Sequence, residues 1–224
     1  MSDLPSAVLF DMDGLLVDSE HTWYAVETEV MAVLGGPWGP EHQAALVGGP
    51  LAHSAQYMLD LSGRSDVDAT EVARMLLDGM VDHLRRAPVG WMPGAQNLLE
   101  EVGAAGVPRA LVSSSSRLVM DAVLDAVGRG NFDVTVSSGD VERTKPHPDP
   151  YLRAAEHLGV AAGFCVALED SAPGATSARA AGCVTVVVPS VSAVPSALAD
   201  LLVPSLETVD LGLLSDLVET LRPR

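Results

Sequence analysis

The sequence predicts an α/β fold: a Rossmann-like doubly wound parallel sheet core with an inserted all-helical cap domain. Three observations carry this. Short apolar runs recur without polar alternation, helical patterns lie between them, and from residue 18 to about 87 helical patterns follow one another with no strand between. Near-continuous apolar strands alternating with helices are the signature of parallel strands covered on both faces.

The strands are read in order as AVLF (7–10), RALVS (109–113), FDVTVS (132–137), FCVAL (164–168) and VTVVV (184–188). Helices are expected over AQNLLEEVGAAG (95–106), RLVMDAVLDAVG (117–128), PDPYLRAAEHLG (148–159) and APGATSARAAG (172–182). Gly106, Gly128, Gly159 and Gly182 fall where left-handed C-caps are common. The inserted helices are 18–35, 40–48, 51–63 and 68–86, with turn-rich GGPWGP (35–40) and GRSDV (63–67) between them. The expected division is therefore 1–16 and 89–224 for the catalytic core and 17–88 for the cap, the chain returning near PVGWMPG (88–94). Residues 189–210, rich in Pro, Ser and Ala, are expected to be irregular.

The 224 residues are 48% hydrophobic but only 4% aromatic, so the core must be built from Ala, Val and Leu. Thirty acidic side chains against 13 Lys and Arg give a net charge of -17. That argues against nucleic acid or an anionic membrane as partner and leaves a small anion held by a few local cations or a metal. No long uncharged apolar stretch is present. The expectation is a soluble cytoplasmic protein, monomer or weak homo-oligomer, with no membrane partner. Cys165 and Cys183 sit in apolar runs and read as small buried hydrophobes in a reducing compartment.

The chemistry collects at strand ends. In LFDMDGLLVDSE (9–20), Asp11 and Asp13 stand two positions apart just after the first strand, where alternate side chains share a face. Two such charges 4 Å apart repel by roughly 4 kcal/mol at an effective dielectric near 20. Ser113 to Ser116 follow the second strand, Lys145 in RTKPHPDPY follows the third, and Glu169 and Asp170 follow the fourth. In an open parallel sheet these carboxyl ends share one edge, where ligands bind.

Several carboxylates at one point favour a hard divalent cation such as Mg2+. Serine hydroxyls and backbone N–H groups at a helix N-terminus, with Lys145 nearby, suit a phosphate. A carboxylate can attack phosphorus to form an aspartyl phosphate, and Asp13 could protonate the leaving oxygen and then deprotonate water. His21 and Trp23, on the first cap helix, are further candidates for substrate contact.

These residues resemble the four motifs of the haloacid dehalogenase superfamily. DMDGLLVDSE is similar to its first motif, LVSSSS to the second, the lysine of TKPHPDPY to the third, and LEDSAPG to the fourth, in the expected order. The insert resembles the helical cap of the subgroup containing beta-phosphoglucomutase and many sugar phosphate phosphatases. The resemblance implies Asp11 as nucleophile and Asp13 as general acid and base, its main-chain carbonyl also meeting Mg2+. It implies Ser113, Ser114 and Lys145 as phosphate ligands, and Asp170 with Glu169 in the metal site.

Two departures bear on substrate. The mutase carries a histidine twelve residues after its nucleophile, where this chain has Trp23, and a cap arginine where this chain reads LVGGPLAHS (46–54), with only His53 as a candidate cation. The expectation is a Mg2+-dependent phosphatase of small phosphorylated metabolites, with a phosphomutase as the nearest alternative. A non-catalytic phosphate or metal binding module is a third.

Overall fold

The computed structural model describes residues 4–87 and 89–221. The three residues at each end, where the core was expected to begin and end, and Pro88, where the cap was expected to end, lie outside the described residues.

Six parallel strands form one sheet: β1 (Ala7–Phe10), β2 (Arg109–Val112), β3 (Val134–Val136), β4 (Cys165–Glu169), β5 (Val184–Val187) and β6 (Leu201–Leu202), in the order β3-β2-β1-β4-β5-β6. The chain builds outward from β1 to one side and then returns to build the other, so the crevice between β1 and β4 is the switch point of the sheet. Phe10 is level with Leu111 of β2 and Leu168 of β4. The residues after all three strands therefore emerge at one height.

Both faces of the sheet are buried, by side chains of different size. Val8, Phe10, Leu111, Val166 and Leu168 join a core with α5 (Ala95–Ala104), α6 (Arg117–Val127) and α9 (Leu211–Leu221). Ala7, Ala110, Cys165 and Ala167 turn to the other face, where Tyr151, Ala154 and Ala155 of α7 (Asp149–Leu158) and Ala178 of α8 (Ala172–Ala180) pack. Leu9, Val112 and Val136 complete this second core. Both cysteines are buried and unpaired.

The inserted segment is α1 (Glu20–Leu34), α2 (Pro40–Ala44), α3 (Leu51–Ser62) and α4 (Ala69–Arg86). Asp68 caps α4 by accepting from the Glu71 N–H at 2.9 Å. Val72, Leu76, Met80 and Leu84 of α4 are buried, and α4 packs on α1 and α3. The connections to the sheet are not loose: Val17 bridges both Asp13 and Trp91, the Asp18 N–H donates to Gly90 O and the Met92 N–H to Leu16 O.

The structure departs from the sequence expectation in the tract 189–210 and beyond. β6 adds two residues to the edge of β5, with the Asp200 carboxylate accepting from the Thr185 N–H at 2.8 Å. So short a strand exists through its pairing rather than its own pattern. α2 ends at Ala44 instead of continuing to Gly48. No helix among the described residues is long and apolar enough to cross a membrane.

Candidate active site

The cleft at the carboxyl edge of the sheet is roofed by the inserted helices. Asp11, Asp13, Ser113, Ser114 and Lys145 form its floor. Glu169 and Asp170 lie buried just beneath.

Asp11 stands directly after β1, its N–H held by Leu168 O of β4. Lys145 reaches it from the loop before α7, where the Lys145–Pro146 bond is cis. The ammonium donates to Asp11 Oδ1 at 2.5 Å, Glu169 Oε1 at 2.6 Å and Val112 O at 3.0 Å, which accounts for all three of its N–H groups. Tyr151 also donates to Glu169 Oε1, at 2.5 Å. Burial, reinforced by Glu169, holds the Tyr151 phenol well above its usual range, so it remains a donor. Burial alone would lower Lys145, but Asp11 and Glu169 outweigh it and the lysine is held above its ordinary value as a cation.

Asp13 has a different environment. Its Oδ1 accepts from Ser19 Oγ at 2.6 Å and Trp23 Nε1 at 3.2 Å; its Oδ2 accepts from Ser115 Oγ at 2.8 Å and Ser113 Oγ at 3.2 Å. Ser19 occupies the N-cap position of α1, yet its hydroxyl turns to Asp13 instead of capping the helix. The repulsion between the two aspartates is thus offset by a cation on one and four donors on the other.

Oxygens of Asp11, Glu169 and Asp170 lie within 4.8 Å of one another, all three groups buried. Burial first, then the neighbouring carboxylates, push Asp11 up against the pull of Lys145. Burial and Glu169 do the same to Asp170, although Ser190 Oγ donates to it at 2.5 Å. Three carboxylates facing one lysine leave negative charge in excess, and an all-oxygen donor set of this kind fits Mg2+. The Asp13 side chain is outside this cluster. Gly14, at φ 78°, closes the turn beside it, because a Cβ there would strike Asp170 Oδ2 and Ser190 Oγ.

The helical layer touches this floor directly. Ser114 Oγ lies 3.5 Å from Gly48 O, and Ser192 Oγ donates to Ala44 O at 3.1 Å. Gly48, at φ 72°, rests on Ser171, where any side chain would collide.

Of the two cap candidates, Trp23 lines the cleft and His21 does not: it is exposed. Two residues apart on a helix point to different sides, so α1 could bring only one of them inward. His53 is likewise exposed and outside the cleft wall. The face that does turn inward is Glu20, Trp23 and Glu27, at i, i+3 and i+7, joined by Gln43 and Ser54 from neighbouring segments. That helical spacing is a signal the sequence contains. The roles of Tyr151 and Ser190 had none, since each depends on contacts between distant segments, and Ser115, read from sequence within the serine cluster, donates to Asp13.

The family model described as haloacid dehalogenase-like hydrolase matches residues 8–188. The chain is 32% identical over 193 residues to the protein CbbY of Rhodobacter capsulatus, covering 82% of this chain and 85% of that protein. It is 32% identical over 194 residues to hexitol phosphatase B of Escherichia coli, covering 82% and 83%. Among solved structures it resembles a beta-phosphoglucomutase from Clostridium difficile, at TM-score 0.83 and 21% identity over 96% of this chain and 97% of that one, a likeness of fold. A variant of CbbY from Rhodobacter sphaeroides in complex with xylulose-(1,5)bisphosphate has TM-score 0.79 and 25% identity over 92% and 96%.

Proposed function

The chain belongs to the haloacid dehalogenase-like hydrolases, and from that membership we propose that it is a Mg2+-dependent phosphatase of small phosphorylated metabolites, sugar phosphates foremost, acting through an aspartyl phosphate. The observation that carries this reading is the contrast between the two aspartates in one cleft. Asp11 is clamped by Lys145, whereas Asp13 is surrounded by hydroxyl and indole donors. The hexitol phosphatases among its relatives support the substrate class.

Asp11 attacks phosphorus, the phosphorus–ester oxygen bond breaks, and Asp13 hands its proton to the departing oxygen. Asp13 then takes a proton from water as the water oxygen attacks the acyl phosphate and frees Asp11. Lys145 fixes the attacking carboxylate, with Glu169 and Tyr151 holding Lys145 in turn. Ser113, Ser114 and the start of α6 face the phosphoryl group. Asp11 and Asp170, with Glu169 and the Asp13 main-chain carbonyl, would hold Mg2+, which would supply charge neutralisation for the phosphoryl group. The roof of helices excludes bulk water.

The test is phosphate release from an aryl phosphate with and without Mg2+, for the wild type and Asp11→Asn. Release is expected only from the wild type with Mg2+. Equal release by the variant removes the covalent mechanism.

A further inference from the structure

The roof of the cleft is lined by Glu20, Glu27 and Gln43, and among the described residues that line the cleft the only cation is Lys145, which is fully engaged on the floor. Glu27 is 6% exposed and its Oε2 has no hydrogen-bond partner. A buried polar atom without a partner is costly and calls for a reason. Gln43 donates to Glu20, both to its main-chain oxygen at 2.8 Å and to its carboxylate at 3.2 Å, so Glu20 is fixed while Glu27 is left open to an incoming group.

We propose that Glu27, beside Glu20, recognises the end of the substrate remote from phosphorus, selecting monophosphate esters of polyhydroxylated carbon chains and rejecting substrates with a second anionic group. The inference rests on the phosphatase reading above and deepens it. A second phosphate or a carboxylate at that end would be desolvated against a wall whose described residues offer no free cation to receive it. Burial pushes Glu27 up to about 8, so near neutral pH it is an uncharged acid able both to donate to and to accept from a hydroxyl. That favours a hydroxyl over an ammonium group.

The experiment compares kcat/KM for sorbitol 6-phosphate, hexyl phosphate and hexose 1,6-bisphosphate, using the wild type, Glu27→Gln and Glu27→Leu, each first shown to be folded by its thermal midpoint. The wild type is expected to prefer sorbitol 6-phosphate over hexyl phosphate by about tenfold or more and to turn over the bisphosphate poorly. Glu27→Leu is expected to cut that preference about tenfold, and Glu27→Gln to keep most of it. An unchanged preference in Glu27→Leu overturns the proposal. So does efficient turnover of the bisphosphate, or a tenfold preference for an amino sugar phosphate over its hydroxyl parent. If the wild type hydrolyses none of these esters, the phosphatase reading fails, and calorimetric binding to Asp11→Asn decides the present inference. Tighter binding of sorbitol 6-phosphate than of hexyl phosphate sustains it, and equal binding refutes it.

Discussion

Trp23 Nε1 donates to Asp13 Oδ1 at 3.2 Å, so a helix of the roof positions the carboxylate assigned to proton transfer. Trp23→Phe keeps the ring and removes the donor. Turnover of an alkyl phosphate is expected to fall about tenfold, the value of one hydrogen bond, with a smaller loss on an aryl phosphate, whose leaving group needs less protonation. Steady-state kinetics on the two esters checks this, and equal losses would count against it.

Among the described residues, Lys145 is the only cation that bonds to the cluster of three buried carboxylates. Lys145→Met is expected to lower unfolding stability by about 3–5 kcal/mol, the cost of leaving a buried charge unpaired. Combining it with Glu169→Gln is expected to cost less than the sum of the two single changes. A double-mutant cycle by urea denaturation measures the coupling.

Asp170 gives a prediction for the metal. Mg2+ binding only the folded state raises stability by about 2.7 kcal/mol at a hundred times its dissociation constant. The thermal midpoint of the wild type is expected to rise with Mg2+, and that of Asp170→Asn to rise much less at the same concentration. Scanning calorimetry reads both.

Glu27 has a pH signature. Its ordinary value is 4.5 and burial pushes it up to about 8, so the folded protein holds a proton that the unfolded chain has released. The stability this contributes is complete below pH 4.5 and is lost as pH rises toward 8. Burial and neighbouring carboxylates push Glu20 up to about 8 as well, adding to the same slope. Glu27→Gln is expected to flatten the decline between pH 5 and 8 by a few kcal/mol. Unfolding free energies across that range provide the measurement.

The parts of the molecule legible beforehand are those written in local pattern. AVLF, RALV and CVALE are apolar runs ended by the polar residues that line or underlie the cleft, and the helices between them carry their own periodicity. Residues 201–202 become a strand because β5 offers an edge, and 211–221 form a helix behind a Pro- and Ser-rich tract that hides its start, where Asp210 accepts from the Leu213 N–H. Within the site, the floor follows strand ends and could be listed from sequence. The roof could not: whether His21, Trp23 or Glu27 faces inward depends on how α1 is rotated over the sheet, and α1 is placed by its packing on α3 and α4, segments distant in the chain.

Val17, paired at once with Asp13 and Trp91, ties the two connections of the roof to the turn that carries Asp13. Both connections between roof and sheet pass through this one short ladder, so the roof cannot swing out without pulling on the backbone that aims Asp13. A roof lifted from the sheet would leave Asp11 gripped by Lys145 but would take the Trp23 indole away from Asp13. On the proposed mechanism enclosure and proton transfer would be geared together, and a phosphoryl group exposed to bulk water would meet only half of the reactive pair in place.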